Sequence, residues 1–233
     1  MQLFYIPEIN GSSVTLDPDE SKHAVKVLRM NAGDRVQIVD GKGGFYEAEI
    51  VDAHHKSCTL VILSKQTDFG KKDFHLHVAI APTKNIDRFE WFLEKCTEIG
   101  IDEITPILSE HSERKVIKPE RLEKILVSAM KQSVKAYLPR LNELTSFNEF
   151  LQLKFSSKKY IAHCNEGHKK HLKEAVSANE NVVILIGPEG DFSNEEVNVA
   201  VKNGYSEISL GEARLRTETA GVVACHIVNL ANE

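Results

Sequence analysis

The chain has 233 residues, enough for one large or two modest domains, and its 42% hydrophobic and 27% charged content is that of a soluble globular protein. It has no run of about 18 apolar residues and no basic, apolar leader at Met1–Pro7, so neither a membrane span nor a signal peptide is expected and the cytoplasm is the expected compartment. A net charge of −5 excludes indiscriminate coating of nucleic acid, which depends on releasing counterions from many phosphates, but leaves room for a local basic patch.

In chain order, residues 3–63 read as a small β domain with one helix. Asp17 caps that helix, Pro18 opens it and Glu20 supports it, and it carries on to about Arg29. Val36 and Ile38, the turn Gly41-Lys42-Gly43-Gly44, and Tyr46, Ala48 and Ile50 predict a hairpin. Ser57 to Leu63 adds a strand, and short strands with glycine turns make a small barrel the expected form. The polar, aperiodic stretch Thr67 to Asp73 reads as a linker, dividing the chain into 1–70 and 74–233.

Beyond it strands alternate with helices. His75 to Ala81 is a strand; Asp87 to Ile99 is a helix with Phe89, Phe92, Cys96 and Ile99 on one face, stopped by Gly100; Ile104 to Leu108 is a strand; and a helix runs from about Pro119 to Ala136. A strand near Leu141, a short helix near Phe150, a strand Tyr160 to Ala162 and a helix Leu172 to Ala178 follow. The alternation predicts an α/β fold with a mostly parallel sheet and helices on both faces. Val182 to Ile186, five apolar residues without alternation, fits a strand covered on both sides.

Gly187-Pro188-Glu189-Gly190 then turns abruptly, and Ser193 with Glu196 forms a capping box for a helix to about Asn203, stopped by Gly204. Ile208 and Leu210 mark another strand, Gly211 a second turn, and Thr217 or Thr219 the cap of a final helix. That helix is apolar nearly all round, and a subunit interface is its expected cover. Both loops follow the carboxyl ends of strands, where open α/β sheets bind ligands, so side by side they predict a pocket.

Cys58, Cys96, Cys164 and Cys225 are far apart and form no Cys-x-x-Cys pair, which argues against a disulfide framework or zinc ribbon. His75 with His77, and His163, Cys164, His168 and His171, lack the spacing of a metal site, so no metal is expected. Between Glu110 and Arg140 the basic residues Arg114, Lys115, Lys118, Arg121, Lys124, Lys131, Lys135 and Arg140 outnumber Glu110, Glu113, Glu120 and Glu123. An RNA-facing patch and a solvated helix face with i,i+4 ion pairs both fit that segment.

Ile186-Gly187-Pro188-Glu189-Gly190, together with Leu210-Gly211 and Leu215-Arg216-Thr217-Glu218-Thr219-Ala220, resembles the two signature loops of the bacterial ribosomal RNA small subunit methyltransferase E family, in the SPOUT class. His23, Val27-Leu28-Arg29-Met30, Gly33-Asp34 and Asp40-Gly41 resemble its PUA-like domain, although Gln2-Leu3 stands where a basic residue is usual. Lys84, Glu90, Lys95, Glu98, Gly100, Gln132-Ser133 and Pro139 also match, whereas Lys131 and Lys135 replace the more usual Glu and Arg.

The resemblance implies a trefoil knot in the C-terminal domain, a homodimer formed through that domain, S-adenosylmethionine as cofactor, and N3 of uridine 1498 in 16S ribosomal RNA of the small subunit as the methylated atom. On this reading the cofactor contacts are His163, Leu185, Ile186, Gly187, Pro188, Glu189, Gly190, Leu210, Gly211, Leu215, Arg216 and Thr217. Uridine N3 must lose a proton, so a cation and a proton acceptor are needed: Arg216 is expected as the first and Glu189 as the second, with a Glu189 held by backbone N–H groups as the alternative. Arg29, Lys84, Arg88, Arg114, Lys131, Lys135 and Arg214 are the expected RNA contacts, a salt bridge being the alternative for Arg29. Two other readings remain: a non-catalytic RNA-binding protein with an empty pocket, and a phosphate-binding enzyme using Gly187 to Gly190 as a cradle. The second lacks the Lys-Ser/Thr ending of a P-loop.

Overall fold

The computed structural model describes residues 2–233. They form two compact units: residues up to Lys71 together with Met130–Leu138, and Lys72–Ala129 together with Pro139–Glu233.

The first unit contains β1 (Leu3–Tyr5), β2 (Ser13–Thr15), α1 (Pro18–Lys22), β3 (Arg35–Val39), β4 (Phe45–Asp52) and β5 (Thr59–Gln66). They make one five-stranded sheet in the order β1-β3-β4-β5-β2, with β1 parallel to β3 and the other pairs antiparallel. Val36, Ile38, Tyr46, Ala48 and Ile50 point into one buried cluster with Phe4 and Leu60, as their two-residue period requires. The expected barrel is corrected to an open sheet, because β1 and β2 are its two ends and do not pair with each other among the described residues. Asp17 caps α1 by accepting from Glu20 N at 2.8 Å. The helix then widens into a π-helical turn, His23–Val27, and Arg29 takes a left-handed backbone, φ 58°. Such turns and conformations cluster at functional sites.

The second unit contains β6 (Leu76–Ile80), α2 (Ile86–Ile99), β7 (Glu103–Leu108), most of α3 (Pro119–Gln132), β8 (Arg140–Leu141), β9 (Thr145–Ser146), α4 (Phe147–Leu151), β10 (Lys158–Ala162), β11 (Lys170–His171), α5 (Leu172–Ala175), β12 (Val182–Ile186), α6 (Asn194–Lys202), β13 (Ser206–Ser209) and α7 (Thr217–Leu230). Its sheet runs β11-β13-β10-β12-β6-β7-β8, with β9 also on β7, and every pair is parallel. All five residues of β12 are buried. Val183 and Leu185 face a cluster with Phe147 and Phe150 of α4 and Val197 and Ala200 of α6. On the opposite face α7 packs against α2, β6 and β12. Each such aliphatic side chain taken from water contributes about 1.5–3 kcal/mol, which makes β12 the axis of the unit.

Several boundaries differ from expectation; the helix expected over Leu172 to Ala178, for one, ends at Ala175. The helix expected to reach Ala136 ends at Gln132, because Val134 adopts φ 54° and Lys135 N donates to Met130 O, closing the last turn. The final helix is capped by neither Thr217 nor Thr219. Arg216 occupies the N-cap in extended backbone without a side-chain cap bond, and Thr217 is the buried first helical residue.

Candidate active site

Ala162 of β10 stands in register with Ile186 of β12 and Ile208 of β13, so three neighbouring strands end at one level and their loops open side by side. Between them lies a cavity of about 710 Å³. Ala162, Ile186, Ile208, Leu215 and Ala220 give it apolar walls, and His163, Lys169, Glu189, Arg214 and Arg216 give it polar ones. Gly187, Pro188, Leu210, Gly211 and Thr217 complete the expected lining. Gly211 has φ +128°, a conformation that side chains rarely adopt.

Two expected cofactor contacts lie elsewhere. Leu185 is corrected to a core residue: it is fully buried in the cluster beneath α4 and α6. Gly190 borders His111 instead, and a Cβ on it would lie 2.9 Å from His111 Cβ. His111 Nδ1 is 3.0 Å from the Asp191 carbonyl, and this hydrogen bond raises the His111 pKa.

Sequence reasoning missed Asp191. Its backbone is left-handed, φ 63°, and its carboxylate accepts from Cys164 N at 2.7 Å and Phe192 N at 2.8 Å, tying the loops after β10 and β12 together. The short polar residue after Gly190 was the available signal, since Asp tolerates that conformation. Lys169 and Glu207 were also missed. Glu207 Oε1 lies 3.0 Å from His163 Nε2, and the His163 Nδ1 atom is buried without a partner. Burial and then Lys169 lower the His163 pKa, outweighing Glu207 and Asp191.

Glu189 is exposed, and its Oε1 accepts the Lys84 backbone N–H at 2.9 Å. This is the alternative expected for Glu189, a carboxylate held by a backbone N–H group, and it braces two loops. Arg114, an expected RNA contact, donates from Nε to Thr83 O at 2.9 Å and from Nη2 to Lys84 O at 2.6 Å, while Lys84 Nζ pairs with Glu113 at 2.8 Å. Arg88 Nε lies 3.9 Å from Glu218 Oε1, and Lys131 is ion-paired with Glu20 within the first unit. Within the basic segment between Glu110 and Arg140, Arg114 and Lys131 thus also hold the protein together. Arg29 and Arg214 are exposed, and Lys135 is half-buried. Among the described residues no group of three or more His, Cys, Asp or Glu is placed to hold a metal ion, and no helix is long and apolar enough to cross a membrane.

The profile of the RNA methyltransferase domain matches residues 70–229, and that of the RNA methyltransferase PUA domain matches residues 16–63. A ribosomal RNA small subunit methyltransferase E from Buchnera aphidicola is 32% identical over 88% of this chain and 83% of its own length. The chain belongs to the ribosomal RNA small subunit methyltransferase E family. A crystal structure of a probable rRNA-methyltransferase from Porphyromonas gingivalis is 43% identical, with a TM-score of 0.93 over 100% of this chain and 98% of its own. A family member from Neisseria gonorrhoeae, crystallised bound to S-adenosyl methionine, is 27% identical, with a TM-score of 0.85 over 97% of this chain and 95% of its own. Both loops that line the cavity lie within the matched methyltransferase domain.

Proposed function

We propose that this protein uses S-adenosylmethionine to methylate N3 of uridine 1498 in the 16S RNA of the small ribosomal subunit. The observation that carries the reading is the cavity itself, where both glycine loops meet at the carboxyl ends of β10, β12 and β13 with Arg216 on the wall. The residues fit the cofactor. About 710 Å³ falls within the range of about 300–1,000 Å³ of small-molecule sites, the walls suit a nucleoside, and His163 Nδ1 is an acceptor in need of a donor. His163, Ile186, Gly187, Pro188, Leu210, Gly211, Leu215 and Thr217 would hold it. When bound, it supplies the methyl group transferred to the uridine.

Arg216 places its guanidinium beside the uridine carbonyl oxygen, where negative charge collects as N3 loses its proton, and Arg214 meets an RNA phosphate. The loops hold donor and acceptor in line, the chief contribution a protein makes to such a transfer. Glu189 keeps its loop in place and takes no part in proton transfer. Arg29, in the matched PUA segment, contacts RNA.

The C-terminal segment forms a trefoil knot. In support, α7 leaves β13 yet packs on β6 and α2, so its connection crosses the ends of β10 and β12. A second copy covers α7, in support of which Leu230 stays 55% exposed and the neighbouring helix α2 presents Trp91, 42% exposed. The enzyme works in the cytoplasm, where its RNA is made. The decisive experiment is transfer of labelled methyl groups to small-subunit particles from cells lacking the protein, with the modified nucleoside identified. A labelled base other than N3-methyluridine, or none, refutes the reading.

A further inference from the structure

His163 follows the end of β10 and lines the cavity, yet its side chain is only 1% exposed. Its Nε2 faces Glu207 Oε1 at 3.0 Å. An ionised carboxylate can only accept, so Nε2 carries the proton and the neutral ring presents Nδ1 as a bare lone pair. That atom is buried and unpartnered in the folded chain. Buried acceptors are rarely left so, and His163 is one of the residues that line the cavity.

We propose that His163 reads a hydrogen-bond donor of the bound nucleoside cofactor through Nδ1, with Glu207 as the positioning residue that fixes the ring in the tautomer this requires. The inference deepens the methyl-donor reading and rests on it. The charged groups around the ring are Glu207 from β13, Lys169 from the loop after β10 and Asp191 from the loop after β12. Burial and Lys169 favour the neutral ring over the imidazolium, so the acceptor is available at neutral pH and is lost on acidification. The shared chemistry is an N–H or O–H donor, which the cofactor carries on its adenine amine, its ribose and its methionine ammonium group.

The test is calorimetric binding of S-adenosylmethionine to the full chain. His163→Phe raises Kd about 3- to 10-fold, the worth of one hydrogen bond, and His163→Asn, which returns an acceptor near the Nδ1 position, restores most of the affinity. Wild-type affinity falls on acidification, below the range where a free imidazole titrates, whereas that of His163→Asn changes less, because an amide does not titrate. Imidazole nitrogen shifts report a single Nε2–H tautomer in the wild type and a mixture in Glu207→Leu. An S-inosyl analogue and 5′-methylthioadenosine sort the donors: the ligand indifferent to His163→Phe is the one lacking the donor, and sensitivity of both assigns the ribose. Equal affinity of wild type and His163→Phe overturns the inference alone. Should His163→Phe not fold, a wild-type Nδ1 resonance that does not move towards its hydrogen-bonded position when S-adenosylmethionine is added overturns it instead. No binding to the wild type overturns the methyl-donor reading as well.

Discussion

Glu189 Oε1 accepts the backbone N–H of Lys84 at 2.9 Å, joining the loop after β12 to the loop after β6. A carboxamide can make the same bond. Glu189→Gln therefore keeps methyl transfer within about threefold of wild type, whereas loss of a general base lowers rates about 10²- to 10⁴-fold. Glu189→Ala removes the acceptor and lowers stability by about 1 kcal/mol. Initial rates and urea denaturation of the two variants check this, and a Gln variant as inactive as a base knockout returns Glu189 to the chemistry.

Arg216 stands at the cavity wall immediately before α7. Arg216→Ala is expected to slow methyl transfer about 10²- to 10³-fold, the scale found on removing a group that stabilises developing charge. Cofactor affinity, measured by calorimetry, stays within about threefold. Near-normal turnover in the variant removes Arg216 from the mechanism.

Gly221 lets α7 approach the sheet. A Cβ there would lie 2.5 Å from Phe92 Cε2 and 3.0 Å from Ile80 Cδ1, both on fully buried side chains that have little room to yield. Overpacking costs about 1–3 kcal/mol, more than the roughly 1 kcal/mol that Ala gains over Gly in a helix interior. Gly221→Ala is accordingly destabilised in chemical denaturation, and a variant more stable than wild type contradicts the packing argument.

His77 sits among Phe150, Phe155 and Thr105, with Nε2 2.7 Å from Thr105 Oγ1, and burial pushes its pKa down to about 4 despite the attraction of Glu103. In the unfolded chain a histidine titrates near about 6.5. Between these values the unfolded state binds the proton that the folded state refuses. Stability from this residue is thus complete above about pH 6.5 and declines as pH falls towards 4, by on the order of 2–3 kcal/mol. Urea titrations at about pH 7 and pH 4.5 check the sign: wild type loses more than His77→Gln, which has no proton to gain there.

Local patterns carried much of the fold. The apolar run Val182–Ile186, the Ser193–Glu196 capping box and the Gly100 stop each act through near neighbours, and each lies where its pattern puts it. Val134 did not announce itself, because a β-branched residue at φ 54° runs against its own preference. In the site, the two glycine loops were legible as a pocket. The partner that holds Glu189 was not, since Lys84 lies 105 residues away, and neither was the His163–Glu207 contact across 44 residues. Pairings of that reach are made by sheet order, which no window of sequence contains.

Met130 and Ala136 share one buried cluster with Leu3 and Val39, although they lie far apart in sequence. A gene truncated after Lys71 would therefore encode a fragment missing part of its own interior, with an oily seat open to solvent. Dissection of this protein for RNA-binding work needs a version in which Met130–Leu138 is spliced back onto the amino-terminal piece.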